Sequence, residues 1–433
     1  MKLNKKLLSI FTSLFLVTLF IASASCSSKP VSAQSENSND HVPGQVLVKF
    51  KDGTPQGIID ATMRGNNSTV RSKIVDLNVL VLKVPQAAEE KVAFALSHNP
   101  NVEYAELDYM AQALMTVDDP YFSTQWGLEN TNDADIDAPA AWDITKGNET
   151  IVAILDSGVS KNHPDVSAQV VVDRANYSDS ATDDDVYGHG THVGGIVAAM
   201  TNNGVGVAGV CPDCKLMSVK VLNDSGSGAY SWIANGITYA ANHGAKVINM
   251  SLGGSRKSIT LENAVNYAWN KDVVVVAAAG NSGNQSKTYP GAYTNAIAVA
   301  ATDNQDKKAS FSEYGSWVDV AAPGVSIYSS WNDNSSPSNP QPDCISATEC
   351  YKYASGTSMS TPMTAGVVAL IWSTNKYTTA SQVRNRLEVT ADKIAGTGTY
   401  WSAGRVNAFN AVDGNYILPT PTPTPTPKPG RNR

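Results

Sequence analysis

Cysteine is scarce in this chain, with five in 433 residues. That is too few for disulfides to create the fold, so burial of apolar side chains must hold it. Charge is scarce as well, at 16%, and the 32 Lys and Arg fall short of the 39 Asp and Glu. A basic excess that could track a phosphate backbone is missing, which excludes nucleic acid as a natural partner. A net charge of −7 suits calcium or a neutral substrate better. The acid excess lies wholly downstream of residue 114, where 21 basic residues face 29 acidic ones. Long apolar runs are missing too: Leu7 to Ala22 gives about 16 residues, short of the roughly 20 that span a bilayer. No transmembrane span is expected.

That same stretch follows Lys2, Lys5 and Lys6 and leads into Ala22-Ser23-Ala24, the pattern of a secretory signal peptide over residues 1–24. A secreted, extracellular protein is therefore expected. Lipid anchoring at Cys26 would need a bulky apolar residue three places before it, and Ser23 stands there. Residues 25–41 are Ser, Asn and charge, a linker. Val46 to Phe50 and Val79 to Val84 read as strands and Glu89 to Ser97 as a helix, giving a small α+β domain over 42–114. From there to about residue 415, apolar β-rich runs alternate with helical segments. The runs are Ile151 to Leu155, Lys215 to Leu222, Val247 to Met250, Val273 to Ala278 and Ala296 to Ala301. Unbroken runs with helices between them indicate an α/β fold around a mainly parallel sheet covered on both faces. Residues 416–433 form a tail in which Pro alternates with Thr, an extended spacer.

Cys211-Pro-Asp-Cys214 has the spacing of half a zinc site, but no second Cys/His pair stands at finger spacing. A small structural disulfide is the simpler expectation. Cys344 and Cys350 bracket a polar stretch within Trp331 to Lys352, where a local disulfide is the simplest pairing.

In open α/β sheets the working residues sit beyond the carboxyl ends of strands, and three positions stand out. Asp156 follows the run Ile151 to Leu155; alone, an Asp there is more often a turn former or helix cap. His189 stands in Gly-His-Gly-Thr-His192-Val-Gly-Gly at the head of a helical segment running to Met200. Its pairing with His192 lacks the Glu of the zinc-protease helix. Ser358 stands in Gly-Thr-Ser-Met-Ser360-Thr-Pro before the apolar helix Met363 to Trp372. The α/β-hydrolase elbow needs a glycine where Ser360 stands, and the order Asp, His, Ser is also wrong for that fold.

Together these three segments, in this order, resemble the subtilisin family of serine proteases, most closely its thermitase-like branch. The resemblance covers about residues 42 to 413 and includes Asp118 to Phe122 and Thr399 to Asn407. It implies a three-layer subtilisin-like fold preceded by an inhibitory propeptide. It implies Ser358 as nucleophile, His189 as general base and Asp156 as the residue that orients it, with activity rising through roughly pH 6 to 7 as the imidazole loses its proton. Asn281 matches the family's oxyanion donor, beside the backbone N–H of Ser358. Gly226-Ser227-Gly228 and Ser251-Leu252-Gly253-Gly254 would flank a peptide bound as an added strand. Ala278-Ala279-Gly280 would form a wall of the primary pocket and Thr288 its floor. The match places no acidic residue there, so apolar or aromatic side chains are expected before the scissile bond.

The resemblance also implies a structural calcium ion held by Asp119, Asp165, Asn203 and the carbonyls of Met200, Val205 and Val207. The acidic run Asp179 to Asp185 is a candidate for a second ion. Residues 42–112 would act as chaperone and intramolecular inhibitor of a monomeric peptidase, with self-cleavage between Gln112 and Asp118, Leu114 preceding the cut. The competing function is a catalytically silent calcium-binding surface module, which would have lost a triad member; none is lost here. Two features depart from the family: Ser360 replaces the usual alanine, and the Trp331 to Lys352 loop looks inserted.

Overall fold

The computed structural model describes residues 41–110, 117–166, 171–332 and 343–416. The proposed signal peptide, nearly all of the linker and the Pro/Thr tail, and the expected cut beside Leu114, lie outside them. The chain divides into two compact units between Met115 and Thr116.

The first unit has four antiparallel strands, β1 (His41–Phe50), β2 (Thr69–Ile74), β3 (Val79–Lys83) and β4 (Val102–Tyr109), in the order β2-β3-β1-β4, with helices α1 (Gln56–Gly65) and α2 (Glu89–Ser97). Alternate apolar residues of β1, Val46, Val48 and Phe50, pack with Leu82 of β3 and Val92 and Leu96 of α2. Sequence reading missed β2 because all six of its residues are exposed, so no apolar pattern marks it.

The second unit is built on a seven-stranded parallel sheet of β5 (Ile151–Asp156), β6 (Val171–Asn176), β7 (Lys215–Lys220), β8 (Val247–Met250), β9 (Val274–Ala278), β10 (Ala296–Thr302) and β11 (Val320–Pro323), ordered β11-β10-β9-β8-β5-β7-β6. Successive residues of β5 serve opposite faces, as strand geometry requires. Val152 and Ile154 pack with residues of α4 (His189–Ala198) and α7 (Thr357–Ser373), and Ala153 and Leu155 with residues of α5 (Tyr230–Asn242) and α6 (Ile259–Trp269). The result is the three-layer α/β architecture expected from the apolar runs. Sixteen of the 17 residues of α7 are buried, so this helix runs through the core and fixes whatever stands at its first turn.

A small antiparallel sheet of β12 (Ile327–Trp331), β13 (Asp343–Cys344) and β14 (Cys350–Ala354) brackets the loop that looked inserted, with β13 inside it and β12 and β14 at its two ends. Both expected cysteine pairs are joined, Cys211 to Cys214 and Cys344 to Cys350. No described helix is long and apolar enough to cross a membrane.

Candidate active site

In the large sheet, β5 has β7 on one side and β8 on the other, so the chain winds outward from it in both directions. Crevices form at the carboxyl ends of strands at such reversals. Asp156 is the last residue of β5 and is fully buried. Its Oδ1 accepts hydrogen bonds from Ser157 N–H and from His189 Nδ1, both at 2.8 Å. With the proton held on Nδ1, the neutral imidazole has its lone pair on Nε2. Burial of the ring works against protonation, but the charge and hydrogen bond of Asp156, backed by Asp185, outweigh it and hold the His189 pKa above its ordinary value.

His189 is placed by the first turn of α4, and Asp185 clasps that turn. Its Oδ1 accepts from Ser157 Oγ (2.9 Å), Tyr187 N (3.1 Å) and Gly188 N (2.8 Å), and its Oδ2 from Thr191 N (2.8 Å) and Thr191 Oγ1 (2.6 Å). A carboxylate on the free N–H groups of a helix start complements the helix dipole. Asp185 is therefore engaged by protein donors. Asp183 pairs with Lys161 and Asp184 accepts from Lys161 N, so this end of the acidic run serves the protein scaffold. His192 faces elsewhere, with Nε2 2.9 Å from the Lys352 carbonyl oxygen, and does not pair with His189 as a metal ligand.

Ser358 is the second residue of α7. Its Oγ donates to the Ser251 carbonyl at 3.1 Å, and Ser251 Oγ donates to the Ser358 carbonyl at 2.8 Å; among the described residues it makes no hydrogen bond to His189. Asn281 Oδ1 accepts from Thr357 N (2.9 Å) and Thr357 Oγ1 (3.0 Å). A backbone N–H can only donate, so the oxygen must face it and Nδ2 turns the other way. A Cβ placed on Gly356 would stand 3.3 Å from Asn281 Nδ2 and 3.6 Å from Ser358 N. Those two donors thus border one small space, kept open by a residue without a side chain. Thr357, which orients Asn281, was not singled out from sequence although it adjoins Ser358.

Two adjoining cavities share Leu252 and Gly253. One, of about 440 Å³, is lined by His189, Gly226, Ser227, Gly228 and Ser251 among others. The second, of about 420 Å³, is lined by Gly254, Ala278, Gly280, Asn281, Thr288 and Ser358 among others. Two expectations need correction. Ala279 is fully buried and packs with Ala300, Val318, Ala321 and Trp401, because alternate residues of an extended segment face opposite sides. The second cavity is also not free of acid, since Glu313 lines it; the fold carries this residue there from 25 positions beyond Thr288.

Of the expected calcium ligands, the side chains of Asp119, Asp165 and Asn203 lie around one loop, to which the backbone N–H groups of Met200, Val205 and Val207 are also tied. Asp119 accepts from Asn202 N (2.9 Å) and Asn203 N (3.3 Å), while Asp165 accepts from Asn203 Nδ2, Val207 N and Tyr351 Oη, each at 3.0 Å. The Asp165 carbonyl receives Met200 N at 2.9 Å, and Val205 N donates to Asn203 Oδ1 at 2.8 Å. Burial, with Asp119 adding like charge, pushes the Asp165 carboxyl up to about 7, and burial raises Asp119 as well. Neither acid has an ion-pair partner among the described residues. Two buried carboxylates beside a loop rich in carbonyl and amide oxygens suit a hard divalent cation. The Asn203 amide would have to turn over to present its oxygen.

Comparison with known proteins follows the same division of the chain. A subtilase family model matches residues 147–414, and a model of the fervidolysin N-terminal prodomain matches residues 27–108. Thermitase of Thermoactinomyces vulgaris is 51% identical over 298 residues, covering 69% of this chain and 99% of that protein. A thermophilic serine proteinase of Bacillus sp. (strain AK1) is 43% identical over 387 residues, covering 87% of this chain and 89% of its own. A solved protease structure from Pseudoalteromonas arctica superposes with a TM-score of 0.61 at 33% identity, over 69% of this chain and 99% of that one.

Proposed function

This chain belongs to the subtilase family and is a serine endopeptidase with its own prodomain, and from that premise we propose that Asp156, His189 and Ser358 are its catalytic triad. The observation that carries the reading is the 2.8 Å bond between His189 Nδ1 and Asp156 Oδ1 at the sheet's point of reversal. Ser358 Oγ leaves the Ser251 carbonyl for His189 Nε2, a tightening that resting active sites often require. The hydroxyl then attacks the scissile carbonyl carbon while its proton passes to Nε2. The oxygen that becomes negative sits between Asn281 Nδ2 and Ser358 N–H. Collapse breaks the C–N bond, His189 returns the proton to the leaving amine, and water releases the acyl group by the same steps.

Loss of one oxyanion donor in Asn281→Ala is expected to lower kcat by about 10² to 10³ with little change in KM. Steady-state kinetics on a peptide anilide checks this, and a normal kcat would refute the assignment.

The substrate is a polypeptide laid as an added strand between Gly226-Ser227-Gly228 and Ser251 to Gly254, supported by the cavities those segments line. Calcium is held by Asp119, Asp165, Asn203 and the carbonyls of Met200, Val205 and Val207, and supplies the positive charge that the two buried carboxylates lack. Stripping it with a chelator is expected to lower the thermal unfolding midpoint, with recovery on adding calcium; a midpoint indifferent to both would remove calcium from the account. The protein is made as a monomeric, secreted zymogen. Its prodomain inhibits the enzyme until self-cleavage between Gln112 and Asp118, with Leu114 before the cut.

A further inference from the structure

The second cavity contains a group that neither the triad nor the oxyanion donors use. Glu313 is stitched to two of its walls: its N–H donates to the Gly280 carbonyl at 2.9 Å, and its Oε2 accepts from Thr288 Oγ1 at 2.6 Å. The contact with Gly280 is so close that a Cβ there would overlap the Glu313 carboxyl group and Thr288 Oγ1, and the φ of +112° at Gly280 also favours glycine. Only 3% of Glu313 is exposed, and Oε1 has no hydrogen-bond partner among the described residues.

No described cation pairs with it. Lys287 lines the same cavity from an exposed position without forming an ion pair. Lys308 donates instead to the Ala309 and Ser312 carbonyls, at 2.9 and 3.1 Å, and lies over the Tyr314 ring. A buried carboxylate with one free oxygen and no counter-charge is costly. An apolar side chain filling the cavity would strip its remaining water and give nothing back. A lysine or arginine would lay its methylenes along Leu252, Gly253 and Ala278 and place its cation on Oε1 as a charge-assisted hydrogen bond.

We propose that Glu313 makes this pocket select Lys or Arg immediately before the scissile bond. The proposal rests on the triad reading above, because the cavity becomes the primary pocket only if Ser358 is the nucleophile. It replaces the apolar preference expected from the sequence match. No Lys or Arg occurs between Lys91 and Lys146, so the maturation cut relies on tethering within one chain instead of on this pocket.

The test compares kcat/KM for peptide anilides that differ only in the residue before the bond, Lys, Arg, Met, Leu or Phe, in the mature enzyme and its Glu313→Gln variant. The expected result is a Lys or Arg value at least about tenfold above Met, Leu and Phe, and a Lys-to-Met ratio that falls at least about tenfold in the variant. The wild-type series decides alone should the variant not fold. A wild-type preference for Leu or Phe, or an unchanged ratio in Glu313→Gln, overturns this proposal while leaving the protease reading intact. Hydrolysis of none of the peptides overturns both.

Discussion

Replacing His189 by alanine is expected to lower kcat by about 10⁶ without unfolding the protein. The imidazole sits at the first position of α4 with 20% of its side chain exposed, and that end of the helix is held by Asp185 through Gly188 and Thr191, not by His189. Removing the ring therefore removes chemistry and little packing. What it removes is the acceptor for the Ser358 proton, without which a neutral hydroxyl is a poor nucleophile. Because nucleophile and base act as one unit, Ser358→Ala should cost about as much, and the double variant hardly more. A residual rate about 10³ to 10⁴ above water should survive from the oxyanion donors and substrate binding. Steady-state rates of the three variants decide the matter. A loss below about 10³, or losses that multiply in the double variant, would contradict the assigned roles.

Asp156→Asn is the second large effect, about 10⁴ in kcat. The amide nearly preserves the shape at the end of β5, but it can present an N–H to His189 Nδ1 and so favour the wrong tautomer. The pH dependence gives an independent readout. Catalysis needs neutral His189, so activity rises as pH passes upward through its pKa. In the wild type burial lowers that pKa, but the Asp156 charge and hydrogen bond raise it by more. The rise should thus be centred above the ordinary 6.5, at the upper end of the range expected from sequence or beyond it. In Asp156→Asn the partner charge is lost while burial stays, so the residual activity should rise at lower pH. Profiles of kcat/KM for both proteins check this, and an unmoved midpoint would argue that Asp156 does not face the catalytic imidazole.

Much of this was legible in the chain because the signals were local. The run Ile151 to Leu155 is β5 with one residue added, Glu89 to Ser97 is α2, and Val247 to Met250 is β8. The words around Asp156, His189 and Ser358 carry their own context, a strand end and two helix starts. The missed elements lacked such a signal: β6 reads Val-Val-Asp-Arg-Ala-Asn, with only its first residue buried. Glu313 could not be placed because nothing in its own segment links it to Thr288 and Gly280; the return of the chain after β10 does that. Asp185 did carry a signal, its position four residues before His189, but it lay in an acidic run that reads equally as an ion site. Ser360, where the family usually has alanine, puts a hydroxyl into the core beneath the nucleophile. Its Oγ has no partner among the described residues, and nothing in the structure explains the substitution.

The central claim is that Ser358 is the nucleophile of a self-processing endopeptidase. It is tested most directly by mass spectrometry of the exported protein and its Ser358→Ala variant, each incubated with casein in the presence of calcium. The account predicts that the wild type loses the chain up to a cut between Gln112 and Asp118 and degrades casein, while the variant keeps its front domain and leaves casein whole. A Ser358→Ala protein that still processes itself or digests casein would contradict it, as would a wild type that does neither.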